Sequence, residues 1–167
     1  MPTYTQIGTA QVAGVGGAVS FDFTSIPNTY TDLVVVTSTR ASLDVVSASV
    51  KLNGATANRT NRMLYGTGSG VASETGTTIY AYGNVNASAR TANTFASTTY
   101  YIPNYKGSTA KSLSIDAVEE NNGTTAFSSI VASLWNDTAA ITQITITPDI
   151  GTFVQYSTAY LYGVSNA

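Results

Sequence analysis

The sequence contains neither cysteine nor histidine among its 167 residues. Without cysteine there is no disulfide framework and no thiolate metal site, and the redox state of the surroundings leaves no mark on the chain. Without histidine, the usual general base, transition-metal ligand and near-neutral pH switch is missing. Charge is scarce too. Only 10% of residues are Asp, Glu, Lys or Arg, and the formal net charge is −2, whereas ordinary globular proteins carry about 25% charged residues. The few basic residues form no stripe, which removes the electrostatic footing for nucleic-acid binding. No apolar run approaches the ~20 residues of a membrane helix. Met1-Pro2-Thr3-Tyr4 has neither the basic nor the apolar region of a secretory signal. Neither nucleic acid nor a membrane is therefore expected as a partner.

What the chain does have is Thr, Val, Ile, Ser and Tyr, the residues that suit a pleated, half-buried surface. No segment holds a 3.6-residue apolar period over several turns, whereas period-2 alternation recurs. Val46, Ala48, Val50 and Leu52 alternate with Ser47, Ser49 and Lys51, and Asn53-Gly54 then reverses the chain. Leu33 to Thr37 is nearly continuous in apolar residues, which predicts a strand buried on both faces. Ala18–Phe23, Leu113–Ala117, Phe127–Trp135 and Ile144–Thr147 are further strands. Weaker ones are expected at Thr5–Ala13, Asn61–Tyr65, Thr78–Tyr82 and Phe95–Ile102. Phe153 to Gly163 predicts one long strand with Tyr156, Tyr160 and Tyr162 on a single face. Turn formers punctuate these runs at Gly14–Gly17, Ile26-Pro27-Asn28, Gly66–Gly70, Asn104–Ser108 and Asn121-Asn122-Gly123. The only helix candidate is a single turn at Asn136–Ala140. The pattern predicts an all-β fold of ten or eleven strands, an antiparallel β-sandwich of jelly-roll type, spanning residues 1–167 as one domain.

Catalytic chemistry would have to come from carboxylates and hydroxyls. Asp116, Glu119 and Glu120 lie close together, and carboxylate pairs can drive glycoside hydrolysis or ligate Ca²⁺. They run into Asn121-Asn122-Gly123, however, and lack the spacing of an EF-hand loop, so they read as a solvated strand end. Gly14-Val15-Gly16-Gly17 and Gly66-Thr67-Gly68-Ser69-Gly70 lack the Gly-Lys-Ser/Thr of a P-loop and read as turns. The expectation is a non-enzyme with no cofactor and no metal. The 11 tyrosines are more suggestive, because Tyr and Arg are enriched at interfaces. Tyr80 and Tyr82 share one strand face; Tyr156, Tyr160 and Tyr162 share another. Arg59 and Arg62 follow the Asn53-Gly54 turn. These seven are the interface candidates, either as anchors or as rim charges.

Several segments taken together resemble small virion proteins of tailed phages, cyanophages and marine phages among them. They are Phe23-Thr24-Ser25-Ile26-Pro27-Asn28-Thr29-Tyr30-Thr31-Asp32-Leu33, Leu64-Tyr65-Gly66, Tyr101-Ile102-Pro103-Asn104-Tyr105, Leu134-Trp135-Asn136-Asp137-Thr138-Ala139-Ala140-Ile141 and Phe153 through Gly163. The resemblance implies a β-sandwich exposed on the particle, commonly a trimeric cement or decoration protein on the capsid lattice, otherwise a module of a tail or fibre. It implies no active-site residues. The expected role is a capsid cement protein on the outer capsid surface, a homotrimer bound to major capsid protein subunits. The alternative is a tail or fibre module whose tyrosines and Trp135 stack on host-surface glycan.

Overall fold

Period-2 alternation becomes thirteen strands in the computed structural model, which describes residues 1–76 and 81–165. They are β1 (Thr3–Gln6), β2 (Gln11–Val12), β3 (Phe21–Phe23), β4 (Asp32–Thr39), β5 (Ser47–Leu52), β6 (Arg59–Gly66), β7 (Val71–Gly76), β8 (Ala81–Asn84), β9 (Ala96–Ile102), β10 (Lys111–Glu119), β11 (Phe127–Trp135), β12 (Ile144–Pro148) and β13 (Thr158–Ser165). No helix occurs among the described residues, Asn136–Ala140 included. There the Asp137 carboxylate instead accepts the Ala139 N–H at 2.8 Å in a local turn.

Every strand pair is antiparallel. A large nine-stranded sheet runs in the order β1-β13-β4-β9-β10-β11-β6-β7, with β2 paired to β13. A smaller four-stranded sheet runs β3-β12-β5-β8. One apolar core joins the two sheets. Phe21, Val50, Leu52, Ile144 and Ile146 from the small sheet meet Leu33, Val35, Tyr100, Ile115 and Leu161 from the large one. The architecture is an antiparallel β-sandwich. The uneven division, nine strands against four, supports two packed sheets and not specifically a jelly roll.

The expected pattern holds most closely at β10 and β11, where buried and exposed residues alternate almost without fault. Leu33, Val34 and Val35 are all buried. β4 sits between β13 and β9, and Tyr162 and Tyr101 flank Val34 on the outer side. Asn53 and Gly54 both have positive φ, the requirement of a type I′ turn. This turn carries the chain from the small sheet to the large one.

Three expectations are corrected. Thr5–Ala13 is two strands, because Gly8 takes φ 74° between them. Val71–Gly76 is a strand the alternation did not reveal; as the sheet edge it buries almost nothing, so its residues carry no apolar period. The long C-terminal strand begins only at Thr158. Tyr156 takes φ 73°, and Ser157 turns inward, its Oγ accepting the Arg40 N–H at 3.1 Å. Upstream of that kink, Phe153 stacks on Phe21 with ring centroids 4.6 Å apart.

Candidate functional site

Two surfaces stand out, on opposite faces of the large sheet. The first is its outer face. Strand registers align outward residues in rows, such as Tyr162, Val34, Tyr101 and Ser114, or Tyr160, Val36, Thr99, Asp116, Ile130 and Leu64. Across all of these strands the outward charges are Asp32, Arg62 and Asp116. Asp32 is occupied locally, accepting the Tyr101 hydroxyl and the Asn104 N–H, each at 2.9 Å. Large apolar side chains are exposed instead: Leu64 57%, Ile130 59%, Val118 40% and Leu134 38%.

The second surface is a cavity of about 410 Å³ where the inner sides of β6, β7 and β11 extend beside β5 and β8. Alternation along β6 sends Thr60, Arg62 and Leu64 outward and Asn61, Met63 and Tyr65 inward, so one strand serves both surfaces. Aromatic rings line the cavity at Tyr65, Tyr82 and Phe127; the Tyr65 and Phe127 centroids are 6.1 Å apart and tilted by 51°. Between them stand the amides of Asn61 and Asn84 and the carboxylates of Glu74 and Asp149. Among its described lining residues there is no lysine or arginine. The Tyr65 hydroxyl donates to Glu74 Oε1 at 3.2 Å, and the Ser129 hydroxyl donates to Asn84 Oδ1 at 3.1 Å. Asn84 Nδ2 is buried and has no acceptor among the described residues. Asp149 accepts the Ser49 hydroxyl. Burial pushes its carboxyl above the ordinary range, with the Ser49 bond pulling the other way.

Comparison with protein-family models, with curated proteins and with solved structures returns no match for this chain.

The interface candidates therefore have to be placed by geometry alone. Tyr160 and Tyr162 lie half-buried on the outer face, and Arg62 lies exposed on it. Five strand steps separate β13 from β6, roughly 24 Å at ~4.8 Å per step. Tyr82 is on the other surface, in the cavity. Tyr156 is 70% exposed in the kink before β13 and shares no face with Tyr160. Tyr80 lies outside the described residues. Arg59 is corrected from anchor or rim charge to interior cation. It is only 5% exposed, and its guanidinium donates to the Val50 carbonyl of the small sheet. Trp135, expected to stack on sugar, is 3% exposed in the core. The sequence gives Glu74 and Asp149 no functional signal, because one sits on an unpatterned edge strand and the other in the Pro148-Asp149 turn that ends β12.

The acidic group at the end of β10 does not converge either. Asp116 faces outward, while the Glu120 carboxylate accepts the N–H groups of Asn121 and Asn122 at 3.0 and 2.7 Å. Glu119 turns inward, fully buried, to meet Arg90 Nε at 2.9 Å. Burial raises the Glu119 carboxyl above its usual value against the opposing pull of Arg90.

A carboxyl raised in the folded state holds its proton more tightly there than in the unfolded chain, so stability falls as pH rises through the folded value. Glu119 and Asp149 both act in this direction. Their contribution is complete below the unfolded carboxylate value and lost above the raised one. Thermal unfolding is expected to show a higher midpoint at about pH 5 than at about pH 7. Glu119→Gln should flatten that slope, and an unchanged slope in this variant would show that Glu119 is not its source.

Proposed function

We propose that this chain is a structural protein of a tailed-phage particle, a cement or decoration protein that docks on major capsid protein subunits through the outer face of its large sheet. The observation that carries the reading is the near absence of charge across that face, together with the exposure of Leu64, Ile130, Val118 and Leu134. Interface cores are depleted in charge and enriched in Tyr and apolar residues, and extended exposed apolar patches mark contact surfaces. A contact of this kind strengthens a lattice by burying area, and salt weakens it little because few charges take part. Assembly as a homotrimer on the outer capsid surface belongs to the same proposal.

The test uses purified particles. The chain is expected in lattice stoichiometry and as a trimer by native mass measurement. Leu64→Glu combined with Ile130→Glu places two new charges beside Asp116 at already exposed positions. This variant should fold normally, yet fail to bind capsids lacking the protein. Wild-type binding by the double variant would remove the outer face from the mechanism. A few copies confined to the tail would refute the capsid assignment.

A further inference from the structure

We propose that the cavity between β6, β7 and β8 is a binding site for a neutral saccharide. The inference does not depend on what the outer face docks against, because the cavity opens on the opposite side of the same sheet.

Size and chemistry both point to this ligand class. A cavity of about 410 Å³ lies within the ~300–1,000 Å³ range of small-molecule clefts and has room for a mono- or disaccharide. Tyr65, Tyr82 and Phe127 supply aromatic lining, with the Tyr65 and Phe127 rings tilted to one another. The axial C–H groups of a sugar ring form an apolar patch suited to such rings, and its hydroxyls each donate and accept. The polar lining is mixed in the same way. Glu74 and Asp149 accept, while the Tyr82 hydroxyl can both donate and accept.

Rival ligand classes fit less well. An anion would meet two carboxylates and, among the described lining residues, no cation. A quaternary ammonium would suit the rings and carboxylates but its cationic head accepts no hydrogen bond from the lining hydroxyls of Tyr82, Ser47 and Thr75. A wholly apolar ligand would cover carboxylate oxygens of Glu74 and Asp149 without offering them a donor, which costs desolvation energy.

The test is saturation-transfer NMR on the full chain with a panel of neutral hexoses, N-acetylhexosamines and their disaccharides. Choline and a sulfated sugar serve as cationic and anionic rivals. At least one neutral sugar is expected to receive transfer at millimolar concentration. Its affinity should fall by about tenfold or more, ~1.4 kcal/mol, in Tyr82→Ala and in Glu74→Gln. Glu74 lies on the exposed edge strand, so its variant keeps the test valid if Tyr82→Ala unfolds. Tyr156→Ala, outside the cavity, should bind as wild type. A free disaccharide binding as tightly as the polysaccharide of the same unit would mark a soluble sugar as the source, and tighter binding of the polymer would mark a surface glycan; both support the site. Transfer to choline alone, to the sulfated sugar alone or to no member of the panel would overturn the proposal, as would equal binding by Glu74→Gln.

Discussion

Gly83→Ala is expected to destabilise the protein by about 3 kcal/mol, the upper end of ordinary overpacking. Gly83 lies in β8, on the edge of the small sheet, where that strand presses against the centre of the large one. A β-carbon here would sit 2.1 Å from the Tyr100 hydroxyl oxygen, 2.6 Å from Thr98 Cγ2 and 2.8 Å from Tyr100 Cζ. Neither neighbour can retreat. Tyr100 is fully buried in β9, and Thr98 Oγ1 bonds both the N–H and the carbonyl of Asn84 at 3.2 Å, tying β8 down. The Tyr100 hydroxyl is itself buried without a partner among the described residues, and burial pushes its pKa upward. Tyr100→Phe alone should therefore be neutral or stabilising by about 1 kcal/mol, because a buried polar group that makes no bond is removed. Combined with Gly83→Ala, it should recover part of the loss and leave the clash with Thr98 and the ring. Denaturant midpoints at constant m-value measure both effects, and the double-mutant cycle measures their coupling. A Gly83→Ala midpoint equal to wild type would mean that β8 does not approach this closely.

Arg40→Met should cost about 2–3 kcal/mol, given that hydrogen bonds to charged groups are worth ~1.5–3 kcal/mol each and that some freed carbonyls will be rehydrated. Among the described residues the Arg40 guanidinium binds no carboxylate. It donates instead to the carbonyls of Thr91, Thr94, Ser88 and Arg90 at 2.8, 3.1, 3.1 and 3.0 Å. These four oxygens belong to the connection between β8 and β9, which the planar fork gathers around one charge. Methionine keeps the apolar stem and removes every one of these donors. Arg40→Lys should fall between the two, because a single ammonium cannot span the same set. Limited proteolysis should show faster cleavage within residues 88–94. The same connection carries Arg90, the partner of Glu119. Loosening it weakens the pull that opposes the raised Glu119 carboxyl, so the fall in stability between about pH 5 and pH 7 should become steeper. Unchanged proteolysis with an unchanged pH slope would show that Arg40 does not hold this connection.

Local alternation was enough to place β10, β11, β12 and the start of β5, and the Asn53-Gly54 turn was legible because positive φ at two successive residues selects those side chains. The C-terminal run misled for the same local reason. Phe153 through Tyr162 alternates in sequence, yet Phe153 is drawn to Phe21 and Ser157 to Arg40, and the chain kinks at Tyr156 to satisfy both. β7 was invisible because an edge strand that buries little carries no apolar period.

The functional surfaces divide along the same line. By itself the sequence determined that this is an all-β chain poor in charge and without cysteine or histidine, since side-chain alternation and composition are properties of neighbouring residues and simple presence. Only the tertiary structure decided that Arg59 is inside and Arg62 outside, that Trp135 is core, and that Glu74 and Asp149 line one cavity although 75 positions separate them. Those outcomes depend on which strands lie side by side and which sheet covers which face. Burial and hydrogen bonding between distant segments settle that order, and no local period encodes it.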